Sequence, residues 1–166
     1  MSVRLQDLAA GPREAAIAAD AELTALGIPH AITSTMRVAI EQVVFFCQGR
    51  APLEIVNLLR QYIGLYQLAE SENRFQAIPP LQPNIVTWAD GVNRLSNHQA
   101  GRGLDVVPME NVEKDPAKPA RWRAVWPGKD DPRWQGIAVV MKKHGFSWGG
   151  DWPEPKTDRP HYEMAV

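Results

Sequence analysis

Apolar residues recur along much of the chain at the spacing of amphipathic helices. Pro12 to Leu26 is rich in Ala, with Ile17, Ala21 and Leu26 expected toward a core and Gly27 as the stop. Ile28 to Thr33 is short and apolar, which predicts a strand. Met36, Ile40, Val43, Val44 and Cys47 fall at helical spacing, so a second helix is expected to about Gln48, closed by Gly49. From Pro52 to about Leu68, Ile55, Leu58, Leu59, Tyr62 and Tyr66 make one stripe, widened by Val56 and Ile63. That third helix reads either as a cap beside a cleft or as an addition to the core, and the core reading is favoured. Pro79, Pro80 and Pro83 then break regular structure.

Past the prolines the pattern changes. Gly103 to Val107 reads as a short buried strand, and Glu110 to Asp131 as a polar loop punctuated by Trp122 and Trp126. An exposed indole can stack on a sugar ring, but the commoner role is to pin a loop to the core, and that is the expectation for both. Asp131 followed by Pro132 is an N-cap with proline at the first helical position. Ile137, Val140, Met141 and His144 continue this helix until Gly145 ends it. The sum is an α+β fold, a small antiparallel sheet flanked by three or four helices.

Composition narrows the functional classes. With 166 residues and 45% apolar residues the chain suits one globular domain. A formal net charge of -1 gives no electrostatic case for nucleic acid or an anionic membrane surface. Cys47 is the single cysteine, so it forms no internal disulfide and reads as a small core residue in a chain made in a reducing cytosol. No apolar run approaches the roughly 20 residues of a membrane span. The N-terminus lacks the continuous apolar core of a secretory signal, so no signal peptide is expected.

The candidate chemistry lies in two stretches. Ser96 to Asp105 holds His98 and Asp105 around a glycine-containing turn, and Asp158 to His161 adds a carboxylate and an imidazole three residues apart. Asp105 has a bland reading, a turn-forming residue beside Gly101 and Gly103. A lone carboxylate in a buried strand is costly, however, and a metal would resolve that cost. Two imidazoles and one carboxylate make a three-ligand zinc site with a fourth position open for water. The remaining carboxylate is then free to act as base. His30 and His144 read as structural.

These residues carry a resemblance. Ser96, His98, Gly101 and Asp105 match the pattern S-x-H-x-x-G-x-A-x-D, with Gly103 in place of the usual Ala. Trp148-Gly149-Gly150-Asp151-Trp152, then Asp158, His161, Tyr162 and Glu163, match W-G-G-D-W followed by D-x-x-H-[FY]-E. The chain resembles the zinc peptidases that cut peptidoglycan stem peptides, which include D-alanyl-D-alanine carboxypeptidases and phage endolysins. It looks most like their L-alanyl-D-glutamate endopeptidase branch. Arg37, Gln42 and Gly49-Arg50 match a further family pattern, although Thr35-Met36 replaces its usual Gly-Tyr.

The resemblance implies a set of roles. Zn²⁺ is held by His98, Asp105 and His161, Asp158 acts as general base and then acid, and Arg37 stabilises the oxyanion. Glu154 is a rival base, but the family spacing favours Asp158. Asp151 is a turn or supporting residue, and Glu163 can orient a ligand through a hydrogen bond. Residues 1–166 are expected to form a single catalytic domain without a separate cell-wall-binding domain. It is expected to be monomeric, without stable membrane association, and to stay in the host bacterial cytoplasm until released to the wall. Three functions compete: an endolysin cutting between L-Ala and D-Glu, a D-Ala-D-Ala carboxypeptidase or dipeptidase, and a zinc-stabilised wall-binding module without turnover.

Overall fold

A computed structural model describes residues 2–75 and 85–165. The cluster of Pro79, Pro80 and Pro83 lies outside the described residues. The chain divides into two compact units, Met1–Met36 with Ala100–Val166, and Arg37–Gln99.

The first unit is the α+β part. Its helices are α1 (Ala10–Ala25) and α4 (Pro132–Lys143). Its strands are β1 (His30–Ser34), β2 (Gly103–Asn111), β3 (Trp122–Ala124), β4 (Ser147–Trp148) and β5 (His161–Glu163). They form one antiparallel sheet in the order β1-β2-β5-β4, and β3 also pairs with β2. Leu104, Val106 and Tyr162 on the sheet meet Ala19 and Leu23 of α1 and Ile137 and Met141 of α4 in the core. α4 starts as expected, since the Asp131 carboxylate accepts a hydrogen bond from the Arg133 N–H at 3.0 Å.

Two expectations about this unit are corrected. On α1 the buried residues are Ala16, Ala19 and Leu23, whereas Ile17, Ala21 and Leu26 face outward. An Ala-rich helix packs its small face closely on a neighbour, so its larger apolar residues do not mark the core side. The Glu110–Asp131 stretch is not all loop either. β2 runs on to Asn111 and pairs Met109, Glu110 and Asn111 with Ala124, Arg123 and Trp122. This strand pairing holds the returning chain, and the indoles do not: Trp122 and Trp126 are 49% and 63% exposed.

The second unit contains α2 (Ala39–Cys47) and α3 (Leu53–Tyr62). Its apolar stripe also faces the other way from the expectation. Ile55, Leu58, Tyr62 and Tyr66 are exposed, while Val56 and Arg60 are buried. The interior here is organised by polar groups that find partners. Arg60 Nε donates to the Tyr66 carbonyl at 2.7 Å. Asn57 accepts from the Leu68 N–H at 2.7 Å and donates to its carbonyl at 3.0 Å, which turns the chain back and ends α3 well before Leu68. Asn73 accepts from the Gly49 N–H at 2.7 Å and donates to the Ala51 carbonyl at 3.0 Å. Cys47 is half-buried rather than a core residue. Among the described residues no helix is long and apolar enough to cross a membrane.

The reversed face on α3 is testable by paired truncations. Val56→Ala, at a fully buried position, should cost about 1.5 kcal/mol, roughly two buried methylene equivalents. Leu58→Ala, at an exposed one, should stay within about 0.5 kcal/mol of wild type. Urea denaturation measures both, and the opposite ranking would restore the stripe to the core.

Candidate metal centre

The site is built on the middle strand of the sheet. β2 has β1 on one side and β5 on the other, and Asp105 stands opposite Ser34 in one register and His161 in the other. This cross-strand pairing brings Nδ1 of His161 to 3.3 Å from Oδ1 of Asp105. On its other edge the ring meets Glu163, with Nε2 at 3.0 Å from Oε2. His161 is 7% exposed. Burial by itself lowers its pKa. The hydrogen bonds of Asp105 and Glu163, together with the charges of Asp105 and Asp158, outweigh that and raise it to about 9.

The glycine-rich motif supports this arrangement from behind. A Cβ on Gly149 would lie 2.4 Å from the Asp158 carbonyl oxygen and 3.2 Å from Cβ of His161. The close approach needing glycine is therefore to the segment that bears the site. Asp158 N–H donates to the Gly149 carbonyl at 2.9 Å, and its own carbonyl accepts from the His161 N–H at 3.2 Å. Trp148 Nε1 donates to the Arg159 carbonyl at 2.7 Å. The Trp152 ring stands 5.2 Å from that of His161, tilted by 46°. Asp158 is thus fixed by its backbone on both sides, half-buried and close enough for its charge to act on His161.

The remaining candidates sort as follows. His98 is 2% exposed, in the turn after Ser96. Asp105 and His161 of the first unit can each offer a ligand atom, and His98 of the second unit is a third residue of a kind that could hold a metal. The donor set fits a cation, since a metal can take the place of the proton that His161 otherwise keeps between carboxylates. Arg37 is half-buried, with its guanidinium 5.0 Å from the Phe45 ring centroid and its N–H donating to the His98 carbonyl at 3.4 Å. Glu154 is exposed. Asp151 is exposed too and pairs with Lys142 at 2.6 Å. His30 and His144 are structural, paired with Asp20 at 2.9 Å and Glu22 at 2.8 Å.

Gln42 carries more than the sequence suggested. It is fully buried, and its amide makes three hydrogen bonds, to Thr87, Ala89 and Ser96. The Arg37-to-Gln42 spacing was its only signal in the sequence.

Comparison with known proteins follows the same residues. Residues 90–164 match the model of a family described as D-alanyl-D-alanine carboxypeptidase. That span contains His98, Asp105, Asp158 and His161, and the match supports the superfamily to which the motifs point, the zinc peptidases of peptidoglycan. The chain is 30% identical over 101 residues to the peptidoglycan L-alanyl-D-glutamate endopeptidase CwlK of Bacillus subtilis. That alignment covers 61% of this chain and 57% of the relative, so the chain spans little more than half of that protein. The L-Ala D-Glu endopeptidase ChiX of Serratia marcescens aligns with a TM-score of 0.46 at 18% identity, over 97% of this chain and 83% of that one.

The two-carboxylate setting of His161 makes a pH prediction for the metal-free protein. The folded pKa of about 9 lies above the ordinary 6.5. The pairing therefore contributes its full stability below pH 6.5 and loses it as pH rises through about 9. In chelator-treated protein the His161 ring should titrate near 9 by NMR. A midpoint near 6.5 would contradict the pairing with Asp105 and Glu163.

Proposed function

We propose that the chain is a zinc metallopeptidase that hydrolyses the L-alanyl-D-glutamate bond of peptidoglycan stem peptides. The observation that carries this reading is the buried cross-strand pair of Asp105 and His161, inside the segment that matches the family model. His98, Asp105 and His161 are the residues that would hold the zinc. Bound there, zinc would supply Lewis-acid polarisation of the scissile carbonyl and a lowered pKa for the attacking water. Asp158 takes the proton from that water on its carboxylate and returns it to the nitrogen of the leaving amine. The Arg37 guanidinium donates hydrogen bonds to the oxygen on which negative charge develops. The half-burial of Asp158 and its backbone tethers to Gly149 and His161 support its role, because a base must be held still to act.

The likeness to the endolysin branch supports a role in lysis. On this reading the protein is a phage or prophage product, kept in the bacterial cytoplasm as a monomer until it reaches the wall. The description of the matching family favours a second reading, removal of the terminal D-Ala. Digestion of purified peptidoglycan followed by mass spectrometry separates the two. The endopeptidase leaves stem peptides with a new D-Glu amino terminus, and the carboxypeptidase releases free D-Ala. No new terminus and no D-Ala, with zinc supplied, would rule out both in favour of a binding module.

The roles of the two carboxylates can be separated by isosteric variants. Asp158→Asn should keep one zinc per chain and lose about 10²–10⁴ in rate, the range of a general base. Asp105→Asn should weaken zinc binding itself, because a charged ligand is lost. Metal analysis beside rate measurement checks both. Zinc lost from the Asp158 variant and kept in the Asp105 variant would mean that ligand and base are exchanged.

A further inference from the structure

The stretch that delivers His98 has no regular secondary structure. From Ile85 to Gln99 the backbone forms bends and turns only, so no ladder or helix fixes it. Gln42, on α2, takes over that work. Its Nε2 donates both hydrogens, to Thr87 Oγ1 at 2.8 Å and to the Ala89 carbonyl at 2.9 Å. Its Oε1 accepts from Ser96 Oγ at 3.1 Å. One fully buried amide thus holds the stretch at three points, the last of them two residues before His98.

The rest of the stretch closes around that amide. At Gly91, with φ of +81°, a Cβ would lie 2.8 Å from Cγ and 2.9 Å from Cβ of Gln42, so the backbone lies directly on the Gln42 side chain. Gln99 Nε2 donates to the Gly91 carbonyl at 2.9 Å, and its Oε1 accepts from the Ser96 N–H at 3.0 Å. Ser96 Oγ also accepts from the Gln99 N–H at 3.3 Å. His98 sits between these two residues, its own carbonyl accepting from the Arg37 N–H at 3.4 Å. A buried apolar side chain at Gln42 would take one hydrogen-bond partner from each of Thr87, Ala89 and Ser96.

We propose that Gln42 is the positioning residue for His98, holding its imidazole in ligating geometry before the metal arrives. The inference rests on the reading of His98 as a zinc ligand. A preorganised ligand binds more tightly because the ordering cost is met during folding.

The test measures zinc affinity by chelator competition, alongside thermal melting of the metal-free protein. Gln42→Leu keeps much of the volume and removes all three bonds. Ser96→Ala removes one bond and is the milder change. Loss of a residue that orients a ligand typically weakens metal binding by about 10–100-fold. Gln42→Leu should fall in that range and Ser96→Ala should lose less. The double variant should lose less than the two effects combined, because both act through one circuit. A Gln42→Leu protein that melts earlier but binds zinc as wild type does, while folded at the assay temperature, would overturn the proposal and leave Gln42 a stabilising residue only. If Gln42→Leu does not fold, Ser96→Ala and Thr87→Val decide, and wild-type affinity in both overturns it. Wild-type protein that binds no zinc would overturn the zinc reading itself, a result distinct from any of these.

Discussion

The first unit depends on one register. Asp105 and His161 face each other because β2 and β5 run antiparallel with Gly103 opposite Glu163 and Leu104 opposite Tyr162. A slip of β5 by one residue would turn His161 toward the apolar core and bring Tyr162 out from beside Leu104, parting His161 from Asp105. The burial of Leu104 and Tyr162, each at 1% exposure or less, therefore fixes the chemistry as firmly as it fixes the sheet. Hydrophobic packing on one face sets the position of charge on the other.

The same register accounts for the concentration of charge. Asp105, Glu163 and Asp158 all act on a single buried ring. Carboxylates gathered at a buried point repel one another unless a cation is shared among them. In the metal-free chain the shared cation is a proton on His161. A divalent metal answers the same electrostatic demand with a larger charge, and so the arrangement favours metal over an empty site as pH rises.

Much of this was legible in the residues, and the part that was not has physical reasons. The candidate group of His98, Asp105 and His161 was legible because ligand chemistry restricts which side chains can stand at those spacings. The cap at Asp131 was legible because it depends on neighbours in sequence. The inward face of α3 was not, since Ile55, Leu58 and Tyr62 look like a core stripe while Val56 and Arg60 occupy the inside. Periodicity identifies an apolar face but not what covers it. β3 was missed because Trp122–Ala124 is only three residues long and largely exposed, and its pairing is set by the partner strand. The work of Gln42 was invisible because its partners, Thr87, Ala89 and Ser96, lie 45 to 54 positions away.

The means by which the three candidate ligands are held also differ. Asp105 and His161 lie in paired strands whose amides open only when the sheet does. His98 lies on a stretch held mostly by side-chain bonds, and such segments open locally at a fraction of the global free energy. By hydrogen exchange its amides should open before those of β2 and β5. On the proposed zinc reading, the imidazole of His98 would let go first, and Asp105 and His161 would remain as a half-site to which the metal could return.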